Sequence, residues 1–209
     1  MTPVAGQLAV ICGPNGAGKT TLLKALAGLA PGGIPRPREV AYLPQGAGSE
    51  WGMLVEEIVA LGRLPHGDRD SRPISAAIAA AEIGHLRGRR IDRISGGERR
   101  RVMLARVLAT EAPILLLDEP TSDLDPAATH AIMRLLRREA NAGRAIVLVL
   151  HAVELALAYA DRLLVMQAGA IIADAAPFDA LPVAAQAFGL EFGLDPMPRL
   201  LPPLAVSRS

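Results

Sequence analysis

Cysteine, aromatic side chains and lysine are all scarce in this chain of 209 residues. Cys12 is the only cysteine, which excludes a disulfide framework and fits a reducing compartment. The six aromatics are Trp51, Tyr42, Tyr159, Phe178, Phe188 and Phe192, so the core must be built from Leu, Val, Ile and Ala. At 51% hydrophobic residues the chain is too apolar for intrinsic disorder, and its length suits one large domain or one domain with an insertion. Charge of one sign is lacking as well: 22 basic against 21 acidic residues leave a net charge of +1, so no whole-molecule field draws the chain to nucleic acid. Long apolar runs are missing. Met1 to Gly18 is uncharged, but Pro3, Gly6, Gln7 and the Gly13–Gly16 turn interrupt it, and it lacks a basic n-region and a long unbroken apolar core. It reads as neither signal peptide nor spanning helix, and the chain reads as soluble and cytoplasmic. Only Lys19 and Lys24 are lysines, which makes a lysine in a special place informative.

What is present is an alternation of two patterns. Gln7–Cys12 is a short Val/Ile-rich run, followed by a Gly-rich turn and an Ala/Leu-rich segment from Gly18 to Leu29: strand, loop, helix. Val40–Leu43 is a second strand candidate. Leu54–Leu61 and Ile74–Ile83 have helical apolar spacing, the latter bracketed by Ser75 and Gly84. Glu98–Ala109 is helical, with Arg99, Arg100 and Arg101 on the face opposite its apolar residues. Ile114–Leu117 and Ala145–Leu150 are the unbroken aliphatic runs of parallel strands buried on both faces. Ala127–Ala140 is a helix with Pro126 at its first turn, Glu154–Ala160 is helical, and Leu163–Met166 with Ala170–Ala173 forms a hairpin. Such alternation predicts an α/β fold with a mostly parallel sheet flanked by helices. Gly46 to Arg93 holds helices and no buried strand, and reads as a helical insertion; the Pro-rich tail after Asp195 reads as irregular.

Gly13-Pro14-Asn15-Gly16-Ala17-Gly18-Lys19-Thr20 matches the phosphate-binding loop pattern, between a strand and a helix as that chemistry requires. Its glycines let backbone N–H groups form an anion nest, Lys19 reaches the terminal phosphates, and the Thr20 hydroxyl can ligate magnesium. Ile114-Leu115-Leu116-Leu117-Asp118-Glu119 is an aliphatic strand ending in two carboxylates, at the end of a parallel strand where ligands bind. Asp118 would meet the metal, and Glu119 would polarise a water for attack on the γ-phosphate. Ser95-Gly96-Gly97-Glu98 opens a helix and could form a second anion-binding terminus or an ordinary N-cap.

Taken together, Gly13 to Thr20, Gln45 after Tyr42-Leu43-Pro44, Ser95 to Glu98, Leu117-Asp118-Glu119-Pro120, Ser122-Asp123-Leu124-Asp125 and His151 resemble the ATP-binding cassette ATPase family, in the right order, over residues 7 to about 175. The resemblance implies a P-loop NTPase fold and ATP with Mg2+ as cofactors. It implies that Gly13 to Thr20 and Thr21 hold the nucleotide, and that Thr20, Gln45 and Asp118 serve the metal. It further implies that Ser95, Gly96, Gly97 and Glu98 contact ATP held by a second protomer, most simply an identical one. By the same resemblance Asp125 couples the two shared sites, Gln45 senses magnesium and the attacking water, and His151 contacts the γ-phosphate. Lys19, Gln45, Glu119 and His151 are then the catalytic set.

A shorter match, Val59-Ala60-Leu61-Gly62-Arg63-Leu64-Pro65-His66, is similar to importers of iron-siderophores, haem and cobalamin. It implies an importer ATPase, peripheral on the inner face of the membrane, serving a permease and, indirectly, a periplasmic binding protein. The permease would dock on Gly46 to His66, with Trp51 as candidate anchor. A non-transport ATPase or regulatory module using ATP-dependent dimerisation is the alternative. The arginines Arg87, Arg89, Arg90, Arg93, Arg99, Arg100 and Arg101 read as a solvated face without interleaved aromatics, hence no nucleic acid. The expected division is one domain: 1–45 and 94–175 as nucleotide-binding core, 46–93 as helical subdomain and 176–209 as C-terminal extension.

The sequence departs from the family in one respect. Twelve residues, none aromatic, precede Gly13, and only 25 lie between Lys19 and Gln45. The antiparallel β-subdomain that presents an adenine-stacking aromatic is therefore expected to be reduced, and Pro31 to Arg38 is too Pro-rich to replace it.

Overall fold

The computed structural model describes residues 1–46 and 52–189. One sheet of six strands runs in the order β2-β3-β4-β1-β5-β6. Its strands are β1 (Leu8–Cys12), β2 (Val40–Leu43), β3 (Ile114–Asp118), β4 (Ala145–Val149), β5 (Arg162–Gln167) and β6 (Ala170–Ala175). All pairs are parallel except β5 with β6, which close the expected hairpin. The helices are α1 (Lys19–Leu26), α2 (Val55–Ala60), α3 (Ser71–Ala80), α4 (Gly96–Leu108), α5 (Pro126–Asn141), α6 (Val153–Tyr159) and α7 (Pro177–Phe188).

The aliphatic runs are continuous because successive side chains enter two different cores. Leu8, Val10 and Cys12 pack with Leu115, Leu117, Ile146, Leu148, Leu163 and Val165 on one face. Ala9 and Ile11 pack with Leu116, Val147, Val149, Leu164 and Met166 on the other. This period of two, with both faces buried, is what a parallel sheet between helix layers demands. The first core also takes in α2 to α7, whereas the second is closed by Ala17, Leu23 and Ala27 at α1. Cys12 is a buried core residue, and burial pushes its thiol up to about 11. Among the described residues β6 is the only antiparallel strand, and Pro31 to Arg38 contains no strand. No helix among them is long and apolar enough to cross a membrane.

Three readings shift. α3 begins at Ser71, where the Asp70 carboxylate caps by accepting from Arg72 N at 2.9 Å. An aspartate at that position outcompetes Ser75, whose hydroxyl instead accepts from Arg87 at 3.1 Å within the helix. The helix ends at Ala80, before Glu82 turns left-handed at φ 58°, short of Gly84. Nor are Arg99, Arg100 and Arg101 a free solvated face, because α2 and α3 pack on α4 and half-bury them. Arg99 donates to the Ile91 carbonyl at 3.4 Å and Arg101 lies 3.6 Å from Glu82. Trp51, the candidate anchor, and the tail after Asp195 lie outside the described residues.

The Val59–His66 match has a structural basis. A 3-10 turn, Leu61–His66, presses against the end of α4 so closely that a β-carbon on Gly62 would stand 2.2 Å from the Arg106 carbonyl oxygen. Buried Arg63 donates to both Asp68 oxygens at 2.9 Å, to Glu111 at 2.7 Å and to the Ala109 carbonyl at 3.1 Å. His66 Nε2 sits 2.8 Å from the Thr110 carbonyl. Arg63 and His66 thus satisfy carbonyls at the C-terminal end of α4, which has no intrahelical partners for them.

Hydrogen bonds from Arg63 hold the Asp68 carboxyl at about 2, below its ordinary 3.8. A depressed carboxyl stabilises the fold above its unfolded pKa and ceases to as pH falls through the folded one. Asp68→Asn should therefore lower the urea midpoint at pH 7, and the deficit should shrink between pH about 4 and about 2. Paired urea melts across that window check this; a deficit that does not change with pH rejects it.

Candidate functional site

Four neighbouring parallel strands deliver the candidate residues. At their carboxyl ends β2 leads to Gln45, β3 to Asp118 and Glu119, β4 to His151, and β1 to the Gly13–Thr20 loop. Register aligns these ends, with Leu43 beside Leu117, Leu117 beside Leu148, and Ile11 beside Val149. Segments separated by more than a hundred residues therefore meet along one edge of the sheet. A cavity of about 510 Å³ there is lined by Asn15, Gly16, Gly18, Lys19, Thr20, Thr21, Gln45, Glu119 and His151.

The loop is shaped by close approaches. Gly13, at φ 147°, passes so near β5 that a β-carbon would stand 2.1 Å from the Met166 carbonyl oxygen. Gly18 caps α1 in the left-handed region with no side-chain cap and no acidic residue in the first turn, leaving the helix N-terminus open to an anion. The Gly169 N–H donates to the Ala17 carbonyl at 3.1 Å, so the β5–β6 turn supports the loop from outside. Lys19 is 7% exposed and donates to the Gly13 and Pro14 carbonyls at 2.8 and 3.0 Å. An ammonium has three protons, and one remains for an anion in the cavity.

Asp118 is fully buried at the end of β3. Tyr42 donates to its Oδ2 at 3.4 Å, while Oδ1 is buried without any partner. Burial, reinforced by the Asp118 charge, pushes the Tyr42 phenol up to about 12. A buried carboxylate oxygen left without a partner costs free energy unless a cation meets it, so the site fits a metal. Among the described residues no group of three or more His, Cys, Asp or Glu could hold a metal alone. A hydroxyl, one carboxylate, water and phosphate oxygens make a magnesium site of the usual kind.

Glu119 follows in the left-handed region at φ 50°. Its Oε1 lies 2.6 Å from His151 Nε2, and its Oε2 accepts from Gln45 at 2.8 Å and from Ser122 at 2.9 Å. The carboxylate cannot donate, so the imidazole carries the proton of the first contact. Two candidates from two other strands, Gln45 and His151, thus converge on the Glu119 carboxylate, joined by Ser122 from the turn that follows β3.

Ser95, Gly96, Gly97, Glu98 and Asp125 do not line this cavity. Ser95 caps α4: its hydroxyl accepts from Glu98 N at 3.2 Å and Glu98 accepts from Ser95 N at 2.8 Å. Ser95 and Gly96 are exposed, and Ser95 keeps its hydroxyl proton for another acceptor. Asp125 caps α5 through Ala128 N at 2.8 Å. Leu124 and Ala128 lie within 4 Å of where a Gly97 β-carbon would stand, which places the Asp125 loop beside the start of α4.

Two contacts have no counterpart in the motifs: Tyr42 on Asp118 and Ser122 on Glu119. Alternation along β2 could have pointed to Tyr42. The Glu119-Pro120-Thr121-Ser122 stretch, with Pro at the second position of a turn, carried the signal for Ser122.

The ABC transporter family model matches residues 1–122. The chain is 41% identical to the hemin import ATP-binding protein HmuV of Pseudomonas putida (strain KT2440), covering 97% of this chain and 90% of that protein. That alignment runs over 229 positions, more than this chain has residues, so it opens gaps in this chain. HmuV of Nocardia farcinica (strain IFM 10152) is 44% identical over 83% of this chain and 67% of its own length. Among solved structures, an inward-facing metal-chelate type ABC transporter superposes with a TM-score of 0.78 at 28% identity, covering 88% of this chain and 78% of that one. A nucleotide-free ATP-binding cassette from an ABC transporter also has a TM-score of 0.78, over 90% of each chain; at 21% identity it shows the fold alone.

Lys19→Ala should weaken binding of a fluorescent ATP analogue by about ten-fold or more, by loss of a charge-assisted contact to phosphate. Fluorescence titration with a melting curve on the same sample checks this; unchanged affinity would remove Lys19 from the site.

Proposed function

The chain belongs to the ABC transporter family, and from that premise we propose that it is the ATP-hydrolysing subunit of an importer for haem or a closely related iron chelate. Relatives named for hemin import, at 40–44% identity, support the cargo class. The observation that carries the mechanism is the convergence of Gln45, Ser122 and His151 on Glu119 beside the phosphate loop.

In this reading ATP lies along Gly13 to Thr21 with its terminal phosphates against Lys19 and the N-terminus of α1. Magnesium, held by Thr20 and Asp118 with Gln45 nearby, would neutralise charge on the phosphates. Glu119 accepts the proton of the attacking water, and His151 moves from the carboxylate to the γ-phosphate. The exposed Ser95-Gly96-Gly97 terminus, which lies off the chain's own cavity, supplies donors to the nucleotide of a second, identical protomer. Two half-sites then make two complete ones, with Asp125 between them. Closure with ATP and reopening after hydrolysis would drive a membrane permease on the cytoplasmic side, fed by a periplasmic binding protein. Residues 46–93 act as the helical subdomain that meets the permease, 1–45 and 94–175 as the nucleotide-binding core, and 176–209 as the C-terminal extension.

Base recognition should be weak. Among the described residues no aromatic side chain lines the cavity, and stacking contributes about 1–3 kcal/mol per base where it is present. ATP and GTP should therefore compete within about ten-fold of each other, since 1.4 kcal/mol is one decade. A competition titration decides this, and a strong ATP preference would refute it.

Glu119→Gln should bind ATP with near-parental affinity, accumulate as a closed dimer, and hydrolyse at least about a hundred-fold more slowly. Size-exclusion chromatography with ATP and a phosphate-release assay, with and without the candidate permease, check both parts; near-parental turnover would sink the assignment of the base.

A further inference from the structure

The three donors on Glu119 are not equivalent. Gln45 and His151 line the phosphate cavity. Ser122 does not: together with Thr121, Thr129 and Leu155 it lines a second cavity of about 200 Å³, which Glu119 and His151 also border. The carboxylate thus borders both cavities, and among the described residues Ser122 is the donor on it that borders the second cavity without bordering the first.

From this geometry we infer that Ser122 is a positioning residue for hydrolysis. It fixes Glu119 Oε2 from behind, so that Oε1 faces the attacking water once nucleotide has drawn Gln45 and His151 to itself. The inference rests on Glu119 being the base. Its hydroxyl has one proton and two acceptors in reach, Glu119 Oε2 at 2.9 Å and the Glu119 carbonyl at 3.2 Å. The carboxylate is the closer and, being charged, the stronger acceptor. The carbonyl has a second donor in the Ser122 N–H at 3.3 Å, which closes the turn from Glu119 to Ser122. Glu119 at φ 50° is in a region that residues with a β-carbon seldom occupy, and the turn starts from it. His151, by contrast, has a half-exposed side chain with room to leave.

The experiment uses the full chain with Ser122→Ala, Ser122→Thr, Glu119→Gln and the Ser122→Ala/Glu119→Gln double variant. Loss of one hydrogen bond to the base should lower kcat of Ser122→Ala about ten-fold. Its KM and its binding of a fluorescent ATP analogue should stay within about two-fold, and Ser122→Thr should recover most of the rate. On the Glu119→Gln background, Ser122→Ala should add little further loss, because the carboxylate it acts through is already gone. A parental kcat in Ser122→Ala, a KM that rises in step with the loss, or a second ten-fold loss on that background overturns the inference. An inactive Glu119→Gln beside a fully active Ser122→Ala overturns the tether alone, whereas a fully active Glu119→Gln overturns the base and the tether together. If Ser122→Ala melts early, Ser122→Cys, close in volume but a poor donor, should show the same kcat loss, and a parental rate there also overturns the inference.

Discussion

Met166 sets its backbone carbonyl where a β-carbon on Gly13 would have to go, with 2.1 Å between them. Only a residue without a side chain lets β1 run that close beside β5 and then turn over the end of the sheet. Everything at the phosphate site follows from this passage: it sets where the loop begins, how α1 points its N-terminus, and where Lys19 finds the Gly13 and Pro14 carbonyls. The Gly169 N–H on the Ala17 carbonyl holds the other end. Peptide groups fixed in this way need no reorganisation when an anion arrives, which is how preorganised donors stabilise charge.

Around that loop the resting site is a balance of satisfied and unsatisfied groups. Glu119 has both oxygens engaged by protein donors, whereas Asp118, more deeply buried, has one oxygen with none. The first carboxylate is therefore fully engaged within the chain, and the second keeps one buried oxygen unsatisfied. Adjacent residues reach these opposite conditions because Asp118 is the last, fully buried residue of β3 and Glu119 lies just beyond the strand.

The helical segment is attached by different physics. Gly62 permits contact with α4, and Arg63, Asp68 and Glu111 lock that contact through a buried guanidinium with four hydrogen bonds. Such an ion cluster gives orientation more than net stability, because desolvating its charges offsets much of their attraction. Orientation matters here because α4 carries Ser95 to Glu98 at its start, and whatever holds the end of α4 also aims its beginning.

Much was legible in the linear order of residues. The strands announced themselves by unbroken aliphatic runs, the phosphate loop by its glycines and lysine, and the Asp118–Glu119 pair by its place at a strand end. Those are local patterns, and local backbone chemistry is enough to read them. Helix ends are less legible: both Asp70 and Ser75 can cap, and spacing does not rank them. Pairings between distant segments were beyond reach, among them Tyr42 with Asp118 and Arg63 with Glu111. So was the role of Gly62, whose need for close packing is invisible until α4 lies against it. By itself the sequence determined the local motifs and so which groups to propose for the chemistry. Only the tertiary structure decided which side each group approaches Glu119 from, since that depends on strand order and register, which bring together residues more than a hundred positions apart.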